Sequence, residues 1–171
     1  MPAIDTIPAA ALNVFTDDLA QAITNAALPG LGDGPVDQVL CDLLSQGEQA
    51  EALADVPAER RLECLSGLWL LAGDIDRSHT ISQDIHTGTG SFLHGIMHRR
   101  EGDFGNAKYW FRKVGDHPVL GQIAERVGDL YPDPFVFVDA CSQAADDQLA
   151  RRCQQAQWIE WQLLMTHILA G

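Results

Sequence analysis

Two histidines stand four residues apart in the stretch HGIMHRRE, His94 and His98, and a third, His79, lies in the segment before them. A helix turns about 100° per residue, so side chains four apart lie one above the other on the same side. Two imidazoles placed this way offer the bite that a divalent metal needs. A third ligand from a neighbouring helix leaves coordination positions open, as in catalytic rather than structural zinc sites. His79, His94 and His98, with Glu101 or Asp76, are therefore candidate ligands for a divalent ion such as zinc or iron. Without a metal, the same histidines are candidates for acid/base catalysis. The pattern departs from the helical metalloprotease motif, because Gly95 rather than Glu follows His94.

A second chemistry competes for the same region. Arg99, Arg100, Lys108, Arg112 and Lys113 crowd into a short stretch of an otherwise acidic chain. With Tyr109 at the edge and Gln83 opposite, they suit a carboxylate or phosphate, held by bidentate guanidinium donors and the start of the helix at Phe104. Glu101, Asp103 and Asp116 are the intramolecular partners that would neutralise them instead. Two functions follow. The first is a binding module for a peptide or small anionic ligand in a His/Arg-lined cleft, with Arg99, Arg100, Lys108, Tyr109, Arg112 and Gln83 as contacts. The alternative is a metal-dependent enzyme, of hydrolase or oxygenase type, built on His79, His94 and His98.

Composition bounds both. The net charge of −13 over 171 residues argues against nonspecific binding to nucleic acid or an anionic membrane, since the far field repels phosphate. A hydrophobic content of 46% is enough for a core, and the length suits one domain spanning 1–171, with 1–15 as an irregular arm. Cys41, Cys64, Cys141 and Cys153 show no C-x-x-C spacing and read as reduced thiols among apolar neighbours. The start, MPAIDTIPAAALNVF, lacks a basic region followed by a continuous apolar run, so it does not read as a signal peptide, and no stretch is apolar enough to span a membrane. A cytoplasmic location is the resulting expectation.

The elements that must position these side chains are helical throughout, about eight or nine in number. Thr16, ahead of Asp17 and Asp18, predicts a capped helix ending near Pro29 and Gly30. Pro35 predicts a second, with Val36, Val39, Leu40, Leu43 and Leu44 at helical spacing up to Gly47. A third opens at Pro57 and buries Leu62, Leu65, Leu68, Trp69 and Leu71 before Gly73. Short helices follow over 75–86, 91–101 and 104–114, and another runs from Pro118 to about Leu130. FVFVDACSQA has the residues of a strand but no partner strand, and is read as a buried helix. The last helix, 146–170, is long and carries Leu149, Cys153, Ala156, Ile159, Leu163 and Leu164 on one face. The turn TGTG folds 75–86 antiparallel against 91–101, which sets Gln83 near His94, His79 near His98 and Asp76 near Glu101. Trp69, Trp110, Trp158 and Trp161 are assigned to packing, Asn106 to a turn, His117 to a helix entry and His167 to the interior of the last helix.

An internal repeat supports this reading. LWLLAGDIDRSHTISQDI aligns without gaps on MHRREGDFGNAKYWFRKV, at a period of 29, with Gly and Asp coinciding. Both copies read as helix, Gly-Asp turn, helix. The second copy resembles a tetratricopeptide repeat: Gly102, Asp103 and Phe104 in the turn, Ala107 three further on, aromatics at Tyr109 to Phe111, and Pro118 closing the unit. The resemblance implies a compact array of antiparallel helical hairpins and supports the binding reading, although the period departs from the family's 34. The chain also resembles a family of small helical proteins of bacteria and fungi that share H-x-x-x-H-R-R-E-G-D-x-x-N-A-x-Y-W-x-R, here His94 to Arg112, with Asp76 to His79 (DRSH) before it. That resemblance implies an all-α fold and carries no activity with it.

Overall fold

Glycine followed by aspartate punctuates the middle of the chain twice, and in the computed structural model both pairs do the same work. Gly73 and Gly102 end their helices in the left-handed region, at φ 84° and 86°. Asp74 and Asp103 then accept the backbone N–H of Arg77 and of Asn106, each at 3.1 Å, and start the next helices. At Gly73 nothing larger fits, because a Cβ would lie 2.5 Å from the Pro35 carbonyl oxygen.

The structure describes residues 7–170. Its helices in chain order are α1 (Ala9–Leu12), α2 (Asp17–Asn25), α3 (Gln38–Leu44), α4 (Arg61–Ala72), α5 (Ile75–Ser82), α6 (Gly88–Glu101), α7 (Phe104–Lys113), α8 (Pro118–Val127), α9 (Pro134–Ser142) and α10 (Asp147–Leu169), with short 3-10 turns between some of them. There is no strand among the described residues, and none of these helices is long and apolar enough to cross a membrane. The chain is an all-α array with a long C-terminal helix. The segment FVFVDACSQA is α9, capped by Asp133 and entered at Pro134, as its lack of a partner strand predicts.

The hairpins run antiparallel. Ser66 of α4 meets Ser78 of α5 at 3.0 Å, and a Cβ on Gly95 of α6 would meet the Phe111 ring of α7 at 3.0 Å. The last residues of α7 lie beside the first of α6, where a Cβ on Gly88 would lie 2.7 Å from the Val114 carbonyl oxygen. Helix α6 is the centre of the array. Twelve of its fourteen residues are buried, so it has no solvent face in the sense an amphipathic helix would. Phe92, Leu93, Ile96 and Met97 supply the apolar part, each contributing about 1.5–3 kcal/mol by leaving water. Helix α10 crosses behind, and its Trp161 N–H reaches the Gly67 carbonyl of α4 at 2.7 Å.

Several boundaries differ from the periodicity. Asp37, not Pro35, starts α3, because its carboxylate accepts the Leu40 N–H and its own N–H is tied to the Ala72 carbonyl at 2.7 Å. Val36 and Val39 are thereby turned out, 52% and 62% exposed, while Leu40, Cys41 and Leu44 go in. A 3-10 turn over Ala58–Arg60 precedes α4, and Leu62 is exposed. The arm is not wholly irregular: α1 forms, and Ile7 and Phe15 are buried against the core, whereas residues 1–6 lie outside the described part. Cys41, Cys64 and Cys153 are buried and Cys141 partly so, all as free thiols. Burial pushes the Cys64 thiol up to about 12, which makes it inert.

Candidate metal centre

A buried imidazole must have both ring nitrogens satisfied, and this requirement decides what the centre of α6 can be. His94 and His98 are 2% and 6% exposed. Their Nε2 atoms lie 3.0 Å apart. His98 Nδ1 lies 3.0 Å from Glu101 Oε2. A carboxylate only accepts, so this Nδ1 carries the proton and neutral His98 presents a bare Nε2 to His94. For His94 to donate there, its own Nδ1 must be bare, and that atom is buried without a hydrogen-bond partner. The Ser82 backbone at the end of α5 acts on the His94 ring in the direction that favours a proton. With both rings neutral, the metal-free pair leaves His94 Nδ1 without a proton to offer the Ser82 backbone, a deficit that one more proton on the pair would remove. One cation between the two Nε2 atoms removes it too, because both Nδ1 atoms can then keep their protons, one facing Glu101.

The third histidine completes the set. His79 projects from α5, half-buried, with its ring centroid 4.8 Å from that of His94 and 5.2 Å from that of His98. One ligand atom from each of the three lies within 4.8 Å of the others. Nitrogens about 2.1 Å from a common ion lie about 3.0 Å apart at a right angle and about 3.4 Å apart in a tetrahedron. The His94–His98 pair already has this bite, and His79 needs a side-chain adjustment on the less buried side. A second cluster, His98, Glu101 and Asp103, has the same compactness but is mostly exposed. There the Asp103 carboxylate is already occupied, accepting from the Asn106 backbone and from Asn106 Nδ2 at 2.8 Å.

Trp110 of α7 stacks face to face on His94, at 3.9 Å and 21° between planes. Lys113, one turn on, holds its ammonium 4.5 Å from the Tyr109 ring and 4.4 Å from that of Trp110. Burial, then the nearby His98 and His79, lower the His94 pKa to about 4. A histidine whose folded pKa lies below its unfolded value near 6.5 stabilises the fold above that value. It loses the contribution as pH falls towards 4, since only the unfolded chain takes up the proton. The metal-free protein is expected to lose about 2 kcal/mol from this residue between pH 7 and 4.5. Urea unfolding at the two pH values checks this, and an equal loss in His94→Phe would refute it.

Glu101, a candidate ligand from its place in the sequence, belongs to the second cluster and also orients His98 through its carboxylate, while 44% of its side chain remains exposed. Outer-shell partners of this kind tune a bound metal by about 10–100-fold. With an ion at the three histidines, Glu101→Gln would be expected to weaken its binding by about that factor while changing the melting temperature little, as read by competition titration against a chromophoric chelator.

The other expected contacts are spread apart. Arg99 is 1% exposed and forms a two-pronged ion pair with Glu160 of α10, with Nη1 to Oε1 at 3.0 Å, and Nη2 also reaches Gln157 Oε1 at 3.3 Å. Tyr131 donates to the same carboxylate at 2.6 Å. Arg100 is 3% exposed and donates to the Leu70 and Gly32 carbonyls. Arg99 is enclosed, and Arg100 only backs small pockets beside Pro29 and Leu70 rather than a His-lined cleft, because α6 is surrounded rather than placed on the surface. Lys108 is paired with Asp139 at 2.6 Å. Arg112 and Tyr109 are exposed on α7. Gln83 caps the end of α5, which stops at Ser82 rather than near His86, and donates to Thr80. Asp76 is exposed on α5. His79 thus sits against both His94 and His98, in place of the Gln83–His94 pairing expected from the turn.

Asn106, His117 and the buried Trp69, Trp158 and Trp161 take their expected roles, His117 accepting the Val119 N–H as the cap of α8. His167 is half-buried with its ring 4.8 Å from that of His117. Trp110 is half-buried and belongs to the histidine cluster as well as to packing. Glu160 went unnoticed in the sequence, although a carboxylate between Trp158 and Trp161 was a signal that it needed a buried cation. No protein-family model matches the chain, and neither a curated protein nor a solved structure matches it, so the chemistry of this centre is argued from its own residues.

Proposed function

We propose that the protein is a metal-dependent enzyme whose centre is one divalent ion, zinc or iron, held by His79, His94 and His98. The observation that carries this reading is the buried pair of Nε2 atoms 3.0 Å apart, with His98 fixed by Glu101 and His94 Nδ1 left without a partner. Three neutral imidazoles would leave the full charge of an ion in place, and His79, the half-exposed member, marks the side open to solvent. A divalent ion held there would supply a Lewis acid for activating water and polarising a carbonyl or phosphoryl oxygen, which would support hydrolysis. Iron in the same set would support an oxygenase instead, and the identity of the ion separates the two.

The anionic-ligand reading keeps one specific support. Lys113 has no carboxylate partner among the described ion pairs, and it rests on the Trp110 ring that backs His94. A substrate with a carboxylate or phosphate would meet this ammonium beside the centre. Elemental analysis of untagged protein tests the proposal. About one zinc or iron per chain is expected, and protein that neither carries nor takes up either ion after growth in supplemented medium would overturn it.

A further inference from the structure

Two of the thiols meet. Cys141 stands in the last turn of α9, partly buried, and Cys153 in the second turn of α10, fully buried. The two helices pack on each other across the short connection 143–146, and there the two thiols are in hydrogen-bond contact. Helical spacing accounts for the place of Cys153. With Gln157 and Glu160 it lies at i, i+4 and i+7, on the buried face of α10 that receives Arg99. The thiol pair continues that polar seam and shares no residue with the histidine centre.

This setting differs from that of Cys64, which burial alone makes inert. At Cys153 the hydrogen bond from the Cys141 thiol, and then the Arg99 and Arg152 guanidiniums, outweigh burial and hold the thiol below its ordinary value. The same bond, and then burial, raise Cys141. The pair therefore gives up one proton more readily than a solitary buried thiol, and the second thiol stays protonated beside the first thiolate. An attacking and a resolving cysteine need this arrangement.

We infer that Cys141 and Cys153 are a peroxide-reactive dithiol, which closes into a reversible disulfide between the end of α9 and α10. The Cys153 sulfur, as thiolate, attacks one oxygen of a peroxide. The O–O bond breaks, and the departing hydroxide takes up the proton that the thiol gave away, leaving as water. The resulting sulfenic acid is then attacked by the Cys141 sulfur. The S–S bond forms as the S–O bond breaks, and the Cys141 proton leaves with the hydroxide as a second water. The peroxide gains the two electrons that the thiols lose. A thiol reductant reverses the bond by exchange.

The test treats the full chain, stripped of metal by a chelator, with a small excess of hydrogen peroxide under native conditions. The expected product is lighter by two hydrogens, yields a cross-linked peptide joining Cys141 to Cys153, and returns to the starting mass with dithiothreitol. The bond should form about tenfold or more faster than the Cys64 thiol is lost in the same solution. Cys141→Ser and Cys153→Ser should each abolish it, and Cys64→Ala should not. The peptide map of the unaltered protein needs no variant to fold. No such product, a bond between other cysteines or between chains, oxygen added to either sulfur without a disulfide, or a bond that forms only in urea would each overturn the assignment.

Discussion

Alanine at His79, His94 or His98 should lower metal affinity by roughly 10²–10³-fold per residue. The size follows from the total: a structural zinc site of four ligands contributes about 10–16 kcal/mol, so each ligand carries about 2.5–4 kcal/mol. His79 gives the cleanest reading. It is half-buried at the edge of the cluster, so its removal disturbs the core least. His94→Ala also removes the stacking partner of Trp110, so its stability must be followed separately. Cobalt substitution supplies the measurement, since the visible bands of the bound ion report both affinity and coordination. Retention of the wild-type cobalt spectrum in all three variants would show that the ion, if bound, sits elsewhere.

Removing the charge of Glu160 is expected to be the most damaging conservative change in the protein. Glu160→Gln leaves Arg99, 1% exposed, as a buried cation with no carboxylate beside it. Losing one partner of a buried pair costs about 3–5 kcal/mol, against a total stability of about 5–15 kcal/mol for a domain. For a chain of this size the melting temperature should drop by roughly 6–20 °C. Replacing both members, Arg99→Met with Glu160→Leu, should restore much of the loss, because no charge is then left uncompensated. Tyr131→Phe removes one hydrogen bond to the same carboxylate and should cost about 1.5–3 kcal/mol. Thermal unfolding of the three variants distinguishes these outcomes. A Glu160→Gln protein melting with the wild type would mean that the pair contributes nothing.

The histidine cluster was legible because its determinants are local. The spacing of His94 and His98, the glycine stops and the short turn after His86 bring α5 and α6 together whatever the rest of the chain does. The arginines were not legible for the opposite reason. Arg99 finds Glu160 across 61 residues, and a single sequence contains nothing that pairs them. The polar side chains of α6 were expected to line a cleft, yet they are buried because α4, α5, α7 and α10 surround it. Arg99 is met by a long-range carboxylate and Arg100 by backbone carbonyls, rather than by water. Val36 and Val39 failed for a smaller reason of the same kind, the Asp37 tie to α4 moving the helix start. At Gly95, where the metalloprotease motif has glutamate, even a Cβ would lie 3.0 Å from the Phe111 ring, so a larger side chain would require that ring to shift.

The two Gly-Asp hairpins, α4–α5 and α6–α7, repeat one construction, and the histidines are divided between them. His79 belongs to the first, His94 and His98 to the second. Neither hairpin alone can grip an ion with three nitrogens, so the centre exists only at their seam. An ion there would act as a rivet between duplicated units, and whatever energy it releases on binding would appear equally as resistance to their separation. Parting α5 from α6, by heat, force or a partner that prefers one hairpin, would release the ion, and withdrawing the ion would loosen that joint before any other.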